Sequence, residues 1–380
     1  MNPDLGVSPK IEAFLRDERP STPFVVIDVD VVEERYHALV DALPAARVYF
    51  AVKANPGMPI LRRLVAAGSA FDVASPAEID LCLAAGASAG DISYGNTVKK
   101  RADVAYAASV GVDRFTVDAH EELDKVLDVA PGASICVRLL HECAGADWPL
   151  SRKFGCDPED LVELLVAASD AGSRCGASFH VGSQQRNVDA WHEALDVVAL
   201  AFRKARERGA NPTFVNLGGG FPGTYREQLP DIAAYGRSVQ SALHAAFPDG
   251  LAEVMVEPGR YLVADAGVLR SEVVLVSRRS IGATRWVYLD CGKFHGLAET
   301  MDEAIRYRLR TAHDGGPTGP VAIAGPTCDS ADVLYEKTDY ELPLALGEGD
   351  MVDVLSTGAY TTTYSSVGFN GFAPLAEHFI

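Results

Sequence analysis

Nowhere in the sequence do about eighteen apolar residues follow one another, which leaves no candidate for a helical membrane span. Its opening, MNPDLGVSPKIEAF, lacks a basic stretch followed by an apolar one, so the expectation is a soluble, unprocessed protein without a membrane partner. No CxxC pair occurs among the seven cysteines (Cys82, Cys136, Cys143, Cys156, Cys175, Cys291 and Cys328). Their odd number and irregular spacing remove the usual zinc and dithiol patterns; they point to a reducing cytoplasm, no metal, and thiols that serve mainly as small core residues. Positive charge is also scarce. With 34 Lys and Arg against 52 Asp and Glu the net charge is −18, which argues against nucleic acid as a partner, because phosphate contacts need clustered cations. Low-complexity segments and runs of one charge are missing too. What the chain does have is 380 residues of 48% apolar content, enough for a substantial core.

Between residues 47 and 260 one unit recurs: a short apolar, β-branched strand, a turn, then an amphipathic helix that often closes on Gly. The predicted strands are RVYFAVK (47–53), AFDVAS (70–75), DISYGN (91–96), RFTVDA (114–119), SICVRLL (134–140), GASFHVG (176–182), TFVNLGG (213–219) and EVMVEPG (253–259). Eight such units in succession predict an α/β fold, a (β/α)8 TIM barrel over residues 31–265. From 266 to 380 the texture changes. The runs RSEVVLVSRR, TRWVYLDCG, PVAIAGPTC and GDMVDVLST are strand-like between Gly, Asp and Pro turns, and only MDEAIRYR looks helical. This predicts a C-terminal, mainly antiparallel β domain. The segment 1–30, with FVVIDVD at 24–30, is expected to contribute to it.

In a barrel, chemistry gathers where strands end. At those ends stand Lys53, Asp72, Asn96, Arg138, His180, Gly218 to Gly220 and Glu257. Taken singly, each has a plain structural reading: a boundary lysine, a core histidine, a flexible glycine turn. Their shared address is what carries weight. A lysine at an apolar barrel mouth is partly desolvated, which favours the neutral amine and lets it condense with an aldehyde. Pyridoxal 5′-phosphate is the aldehyde cofactor that also needs the remaining groups. Its phosphate suits the backbone of NLGGGFPG (216–223), its ring nitrogen an acidic partner such as Glu257 in EPGR, and its ring face His180.

Taken in order, YFAVKANP, FDVAS, FHVGSQ, NLGGGFPG, EPGRYLV, GPTCDS and GAYTTTYSSVGFNGF resemble the fold-type III pyridoxal-phosphate decarboxylases of the ornithine/lysine/diaminopimelate decarboxylase family, from about residue 24 to 372. The resemblance implies an alanine-racemase-like barrel with a C-terminal antiparallel β-sandwich or Greek-key β-barrel domain. It implies that Lys53 holds the cofactor covalently, that His180 stacks on its ring and that Glu257 pairs with its nitrogen. Ser183, Gly218, Gly219, Gly220, Gly259, Arg260 and Tyr360 match positions around the phosphate, and Asp72, Glu78 and Arg138 match charged residues near the cofactor. It further implies an obligate homodimer with shared sites, in which GPTCDS (325–330) is lent to the partner. There Cys328 protonates the carbanion and Asp329 binds the distal ammonium of a small amino-acid substrate.

GPTCDS and FNGF favour the ornithine/lysine branch of that family. The second substrate segment, YLDCGKFHGLAETMDEAIRY (288–307), departs from it: the animal-type enzymes carry Asp-Gly where this chain has Cys291-Gly292, with Asp290 one position earlier and His295 nearby. Asp290, Cys291, His295, Tyr360 and Phe369 complete the expected substrate contacts. The expected activity is decarboxylation of L-ornithine to putrescine, an entry to polyamines. Lysine, arginine or a nonprotein diamino acid are alternative substrates, and a non-catalytic regulator of the same fold is a rival class.

Overall fold

The computed structural model describes residues 6–148, 153–278 and 284–380, and these form two compact units. One comprises residues 33–222 and 229–261; the other comprises the described residues up to Val32, then 223–228 and 262–380. Residues 223–228 fall inside the stretch 31–265 expected for the barrel, yet they cluster with the β unit. There the backbone N–H of Thr224 donates to Asp265 at 3.0 Å, and Arg226 stacks 4.3 Å over Tyr340 while donating to the Asp339 carbonyl at 2.9 Å. Residues 1–5, and Arg279 at the end of RSEVVLVSRR, lie outside the described residues.

In the first unit eight parallel strands, Ala46–Ala51, Ala70–Val73, Ile92–Tyr94, Arg114–Val117, Ser134–Arg138, Cys175–Ser178, Phe214–Asn216 and Glu253–Val256, pair in chain order and close on themselves. This is the predicted TIM barrel. Every strand stops short of its predicted C-terminal end, because the polar residues there belong to loops leaving the barrel mouth. Between the strands, Ser75, Asp157 and Asp231 cap helices by accepting the N–H three residues on, and Gly68 and Gly86 end them in the left-handed region at φ 90° and 103°. The interior packs Tyr49, Ala70, Cys136, Phe214 and Met255 together.

Below that layer, where the strands begin, Glu253 takes two bonds from Arg114 (3.0 and 3.1 Å), one from Arg174 (2.8 Å) and one from Tyr49 (3.3 Å). This end of a barrel serves stability. Replacing Glu253 by Gln leaves the largely buried Arg114 without its counter-charge. Urea unfolding should register a loss of about 2 kcal/mol, below the usual cost of breaking a fully buried pair because Arg174 still reaches water. An unchanged midpoint would remove this network from the barrel's supports.

The second unit is a curled eight-stranded sheet. Its path runs Leu309–Thr311, Met351–Leu355, Gly267–Arg278, Arg285–Leu289, Thr318–Ala324 and Val333–Pro343. Phe24–Ile27 joins through Gly267–Arg278 and itself pairs with Ala376–Phe379. The expected antiparallel pattern holds for most pairs. Two are parallel, Phe24–Ile27 with Ala376–Phe379 and Arg285–Leu289 with Thr318–Ala324, so the sheet is mixed. The predicted helix in MDEAIRYR does not form. The chain instead makes a short 3-10 segment, Ala298–Glu303, ending in the left-handed residues Asp302 and Glu303. Glu303 is drawn into that shape because its carboxylate accepts three consecutive N–H groups, from Glu336, Lys337 and Thr338, at 2.8, 2.7 and 2.6 Å. Among the described residues no helix is long and apolar enough to cross a membrane.

Candidate active site

The first barrel strand ends at Ala51, and a single 3-10 turn, Val52–Ala54, carries Lys53 off its end. Its ammonium donates to Asp72 Oδ2 at 2.7 Å; the lysine side chain is 48% exposed and that of the aspartate 5%, so the pair sits at a boundary between water and core. The other aspartate oxygen, Oδ1, is buried and accepts no hydrogen bond. Gly95 makes room for it, since a Cβ there would lie 2.0 Å from Oδ1. Behind this pair Ser75 and Glu78 form a reciprocal cap: the serine hydroxyl accepts the Glu78 N–H at 3.3 Å, and the glutamate accepts the Ala74 N–H at 2.7 Å. Burial raises the Glu78 pKa, opposed by that backbone bond and by the Lys53 charge. Asn96 orders its own loop, its Oδ1 accepting the Val98 N–H at 3.3 Å and its carbonyl the buried Lys99 ammonium at 2.8 Å.

His180 follows the sixth strand. Its Nδ1 accepts the Gly182 N–H at 2.9 Å, so the ring is the neutral tautomer with its proton on Nε2. Burial, then the charges of Arg138 and Lys53, push its pKa down to about 3. Arg138 ends the fifth strand with its guanidinium 5.6 Å over Phe154.

The three glycines after the seventh strand are held where no side chain fits. A Cβ on Gly218 would lie 2.2 Å from the Phe179 carbonyl oxygen, one on Gly219 2.7 Å from that of Glu257 and 3.2 Å from His180 Nε2, and one on Gly220 2.7 Å from Val181. Gly218 and Gly220 also have φ of 67° and 102°, backbone that favours glycine. Beside them Ser183 Oγ accepts from Arg260 Nε and Nη2 at 3.2 and 3.1 Å, and Gly259 precedes that arginine in the turn after the eighth strand.

Glu257 follows the eighth strand. Burial, reinforced by the Asp72 charge, pushes its carboxyl up to about 7, against the pull of Lys53, Asn216 and Arg138. Asn216 was not singled out from the sequence. Its amide donates to Glu257 Oε1 while its Oδ1 accepts the Gly218 N–H at 2.9 Å, so one side chain fixes both the carboxylate and the glycine loop. Its position just before the glycines was the available signal.

The β unit gathers the other expected residues from three segments. In the first, Asp290 Oδ1 accepts from Ser271 Oγ at 2.5 Å and from the Glu272 N–H at 2.9 Å, which commits that oxygen to the sheet. The Cys291 thiol is fully buried, and burial raises its pKa well above the ordinary value. His295 is buried edge-on to Phe372 at 4.6 Å, with Nδ1 accepting no bond and its pKa lowered by burial. From the second segment come Cys328, the one exposed cysteine of the seven, and the exposed Asp329, which accepts the Ala331 N–H at 2.8 Å. The third carries Tyr360, at φ 56° and 5.8 Å from the Tyr364 ring, and Phe369, 4.8 Å from Phe294. Asn370 Oδ1 accepts the Cys328 N–H at 3.0 Å, joining the second and third segments. Among the described residues no group of three or more His, Cys, Asp or Glu side chains is arranged to hold a metal.

Residues 29–264 match the family described as pyridoxal-dependent decarboxylase, pyridoxal binding domain. The lysine/ornithine decarboxylase of Selenomonas ruminantium is 38% identical over 93% of this chain and 88% of its own. A chloroplastic ornithine decarboxylase of Nicotiana glauca is 32% identical over 94% and 83%. Among solved structures, the lysine/ornithine decarboxylase from Vibrio vulnificus complexed with putrescine covers 98% of this chain and 99% of its own at 32% identity, with a TM-score of 0.86. The arginine decarboxylase of Paramecium bursaria Chlorella virus bound to agmatine covers 97% and 100% at 27% identity, with a TM-score of 0.88.

Proposed function

We propose, for a chain that belongs to the pyridoxal-dependent decarboxylases of basic amino acids, that its own substrate is L-ornithine, converted to putrescine and CO2, with L-lysine as a second substrate. The observation that supports this reading is the exposed carboxylate of Asp329 beside the exposed thiol of Cys328, while Asp290 has an oxygen committed to the sheet and Cys291 is a buried thiol whose pKa burial raises. One available carboxylate suits one distal ammonium.

The barrel-mouth residues fit pyridoxal 5′-phosphate. Gly218 to Gly220 form a turn packed so tightly that a Cβ at any of the three would strike a neighbour, which keeps its backbone free of side chains for a phosphate, and Ser183 with Arg260 adds a hydroxyl and a guanidinium. Lys53 would hold the cofactor's aldehyde carbon and Glu257 its ring nitrogen. Bound there, the cofactor supplies an electron sink for the pair left when CO2 departs. Asp72 orients the Lys53 amine. His180, neutral with its proton on Nε2, offers a flat wall without adding charge. Asn216 keeps the Glu257 carboxylate aimed by gripping one oxygen. Asp329 binds the substrate's distal ammonium, and Cys328 Sγ delivers the proton to its Cα. We assign the GPTCDS loop to the site of a second copy, making the working enzyme a homodimer.

The test is CO2 release from ornithine, lysine, arginine and meso-diaminopimelate. Ornithine should give the highest kcat/KM; turnover of neither ornithine nor lysine would overturn the substrate reading. Cys328→Ala should lose on the order of 10²-fold in kcat, the worth of a positioned acid, with cofactor binding unchanged. Activity close to that of the native enzyme would end the proton-donor role. Mixing the impaired Lys53→Ala and Cys328→Ala chains should raise turnover above that of either alone, and no recovery would count against shared sites.

A further inference from the structure

Gln185 has no part in the assignments above. It ends the short strand Ser183–Gln185 and is fully buried. Its amide nitrogen donates to the Val181 carbonyl at 2.7 Å and the Ala144 carbonyl at 3.1 Å, and its Oε1 accepts the Asn187 N–H at 2.9 Å. The backbone of the same residue is engaged as well: its N–H donates to the Gly220 carbonyl at 2.9 Å, and its carbonyl accepts the Tyr235 hydroxyl at 2.8 Å. The fit is close, since a Cβ on Gly145 would lie 2.9 Å from Gln185 Oε1. Gln184, between Ser183 and Gln185, is 2% exposed and held at φ 55°, a backbone that residues with a Cβ rarely adopt unless their surroundings impose it.

These bonds join two pieces of the barrel mouth that leave different strands. One is the turn after the sixth strand, which carries His180 and Ser183; the other is the glycine turn after the seventh. Gln185 grips the first through Val181 and the second through Gly220. A further support reaches the glycine turn from the helix Ala190–Glu207, where the buried Trp191 donates from Nε1 to the Leu217 carbonyl at 3.1 Å and stacks on Phe221 at 5.0 Å. An apolar side chain of the same length would occupy the space of Gln185, but it would take the donor from two carbonyls in the core and leave the first turn held only by packing on that side. We propose that Gln185 is a positioning residue for the cofactor's phosphate, tying the two turns so that the Ser183 hydroxyl and the glycine N–H groups stand at the spacing one phosphate needs, an inference that rests on the reading of the glycine turn as the phosphate's seat. A seat ordered in advance binds more tightly because less ordering remains to be done at capture. Lys53 stands on the 3-10 turn after the first strand and is not held by either turn. Loosening the tie therefore weakens what the phosphate adds to binding and spares what the aldehyde adds.

The test titrates the full chain, freed of cofactor, with pyridoxal 5′-phosphate and with pyridoxal, which shares the ring and the aldehyde but lacks the phosphate. Absorbance follows both, and the ratio of the two dissociation constants is the readout, one that a purely structural role would not move. Gln185→Met keeps the length of the side chain and removes its bonds. It should cut the native preference for the phosphorylated ligand by about tenfold or more, the effect of lost buried hydrogen bonds, while pyridoxal binding changes by less than about threefold. Tyr235→Phe, which removes only the hydroxyl bond to the Gln185 carbonyl, should cut the preference by about threefold. If Gln185→Met loses thermal stability but keeps the native ratio, the residue is only a structural support and the inference falls. Should Gln185→Met fail to fold, Tyr235→Phe decides, and an unchanged ratio there overturns the inference. If the native protein binds pyridoxal as tightly as pyridoxal 5′-phosphate, the phosphate reading of the glycine turn and this inference fall together; a native preference that both variants retain sinks this one alone.

Discussion

Lys53→Ala is expected to lower kcat/KM by on the order of 10³-fold or more and to abolish the visible absorbance of bound pyridoxal phosphate. Two effects combine. The chain loses the amine that takes the cofactor's aldehyde, and Asp72, 5% exposed with one oxygen already unbonded, loses the ammonium on its other oxygen. The second effect alone would destabilise the mouth, so the alanine variant by itself does not separate folding from chemistry. Lys53→Arg does: it returns a cation to Asp72 but is not a nucleophile at neutral pH. It should recover thermal stability without activity or absorbance. A Lys53→Ala protein that kept the absorbance band would show that the cofactor is held elsewhere.

Glu257→Gln should reduce kcat by on the order of 10²-fold, because a neutral amide cannot hold a proton and positive charge on the ring nitrogen as a carboxylate does. A separate signature comes from the cofactor-free protein. There the Glu257 carboxyl sits at about 7, above the ordinary 4.5, because burial disfavours its charge. A raised carboxyl pKa means the folded chain keeps this proton after the unfolded chain has lost it. Stability from this group is therefore complete below about 4.5, falls as pH rises toward about 7, and is flat above that. The glutamine variant should lack this descending limb when urea midpoints are followed across that range. If the native protein shows no such limb, burial does not dominate at Glu257. Bound cofactor places positive charge beside the carboxylate and should flatten the limb as well.

These expectations draw unequally on sequence and fold. The eight strand–helix units were legible because each strand is a short β-branched run and each helix has a threefold to fourfold apolar rhythm, signals that local geometry enforces. The strand ends were less so. Hydrophobic character continues past Ala51 and Ser178, and only the loss of a pairing neighbour shows where a barrel strand stops. The helix read into MDEAIRYR failed for a similar reason: its composition suits a helix, but Glu303 finds three N–H donors on a strand more than thirty residues away.

By itself the sequence determined the order of elements, and it determined the chemical types available for the cofactor: a lysine after the first strand, three glycines after the seventh, a glutamate after the eighth. These follow from one-dimensional regularities, since a barrel repeats its unit and places its chemistry at one end of each strand. Only the tertiary structure decided which polar residues serve the site and which serve the frame. Asp290, Asp329 and Asp332 look alike in sequence. One has an oxygen bonded into the sheet, one faces solvent, and one is buried and accepts the backbone N–H groups of Lys293 and Thr327. What a carboxylate does is set by which donors reach it and how much water it keeps, and both depend on residues distant in the chain.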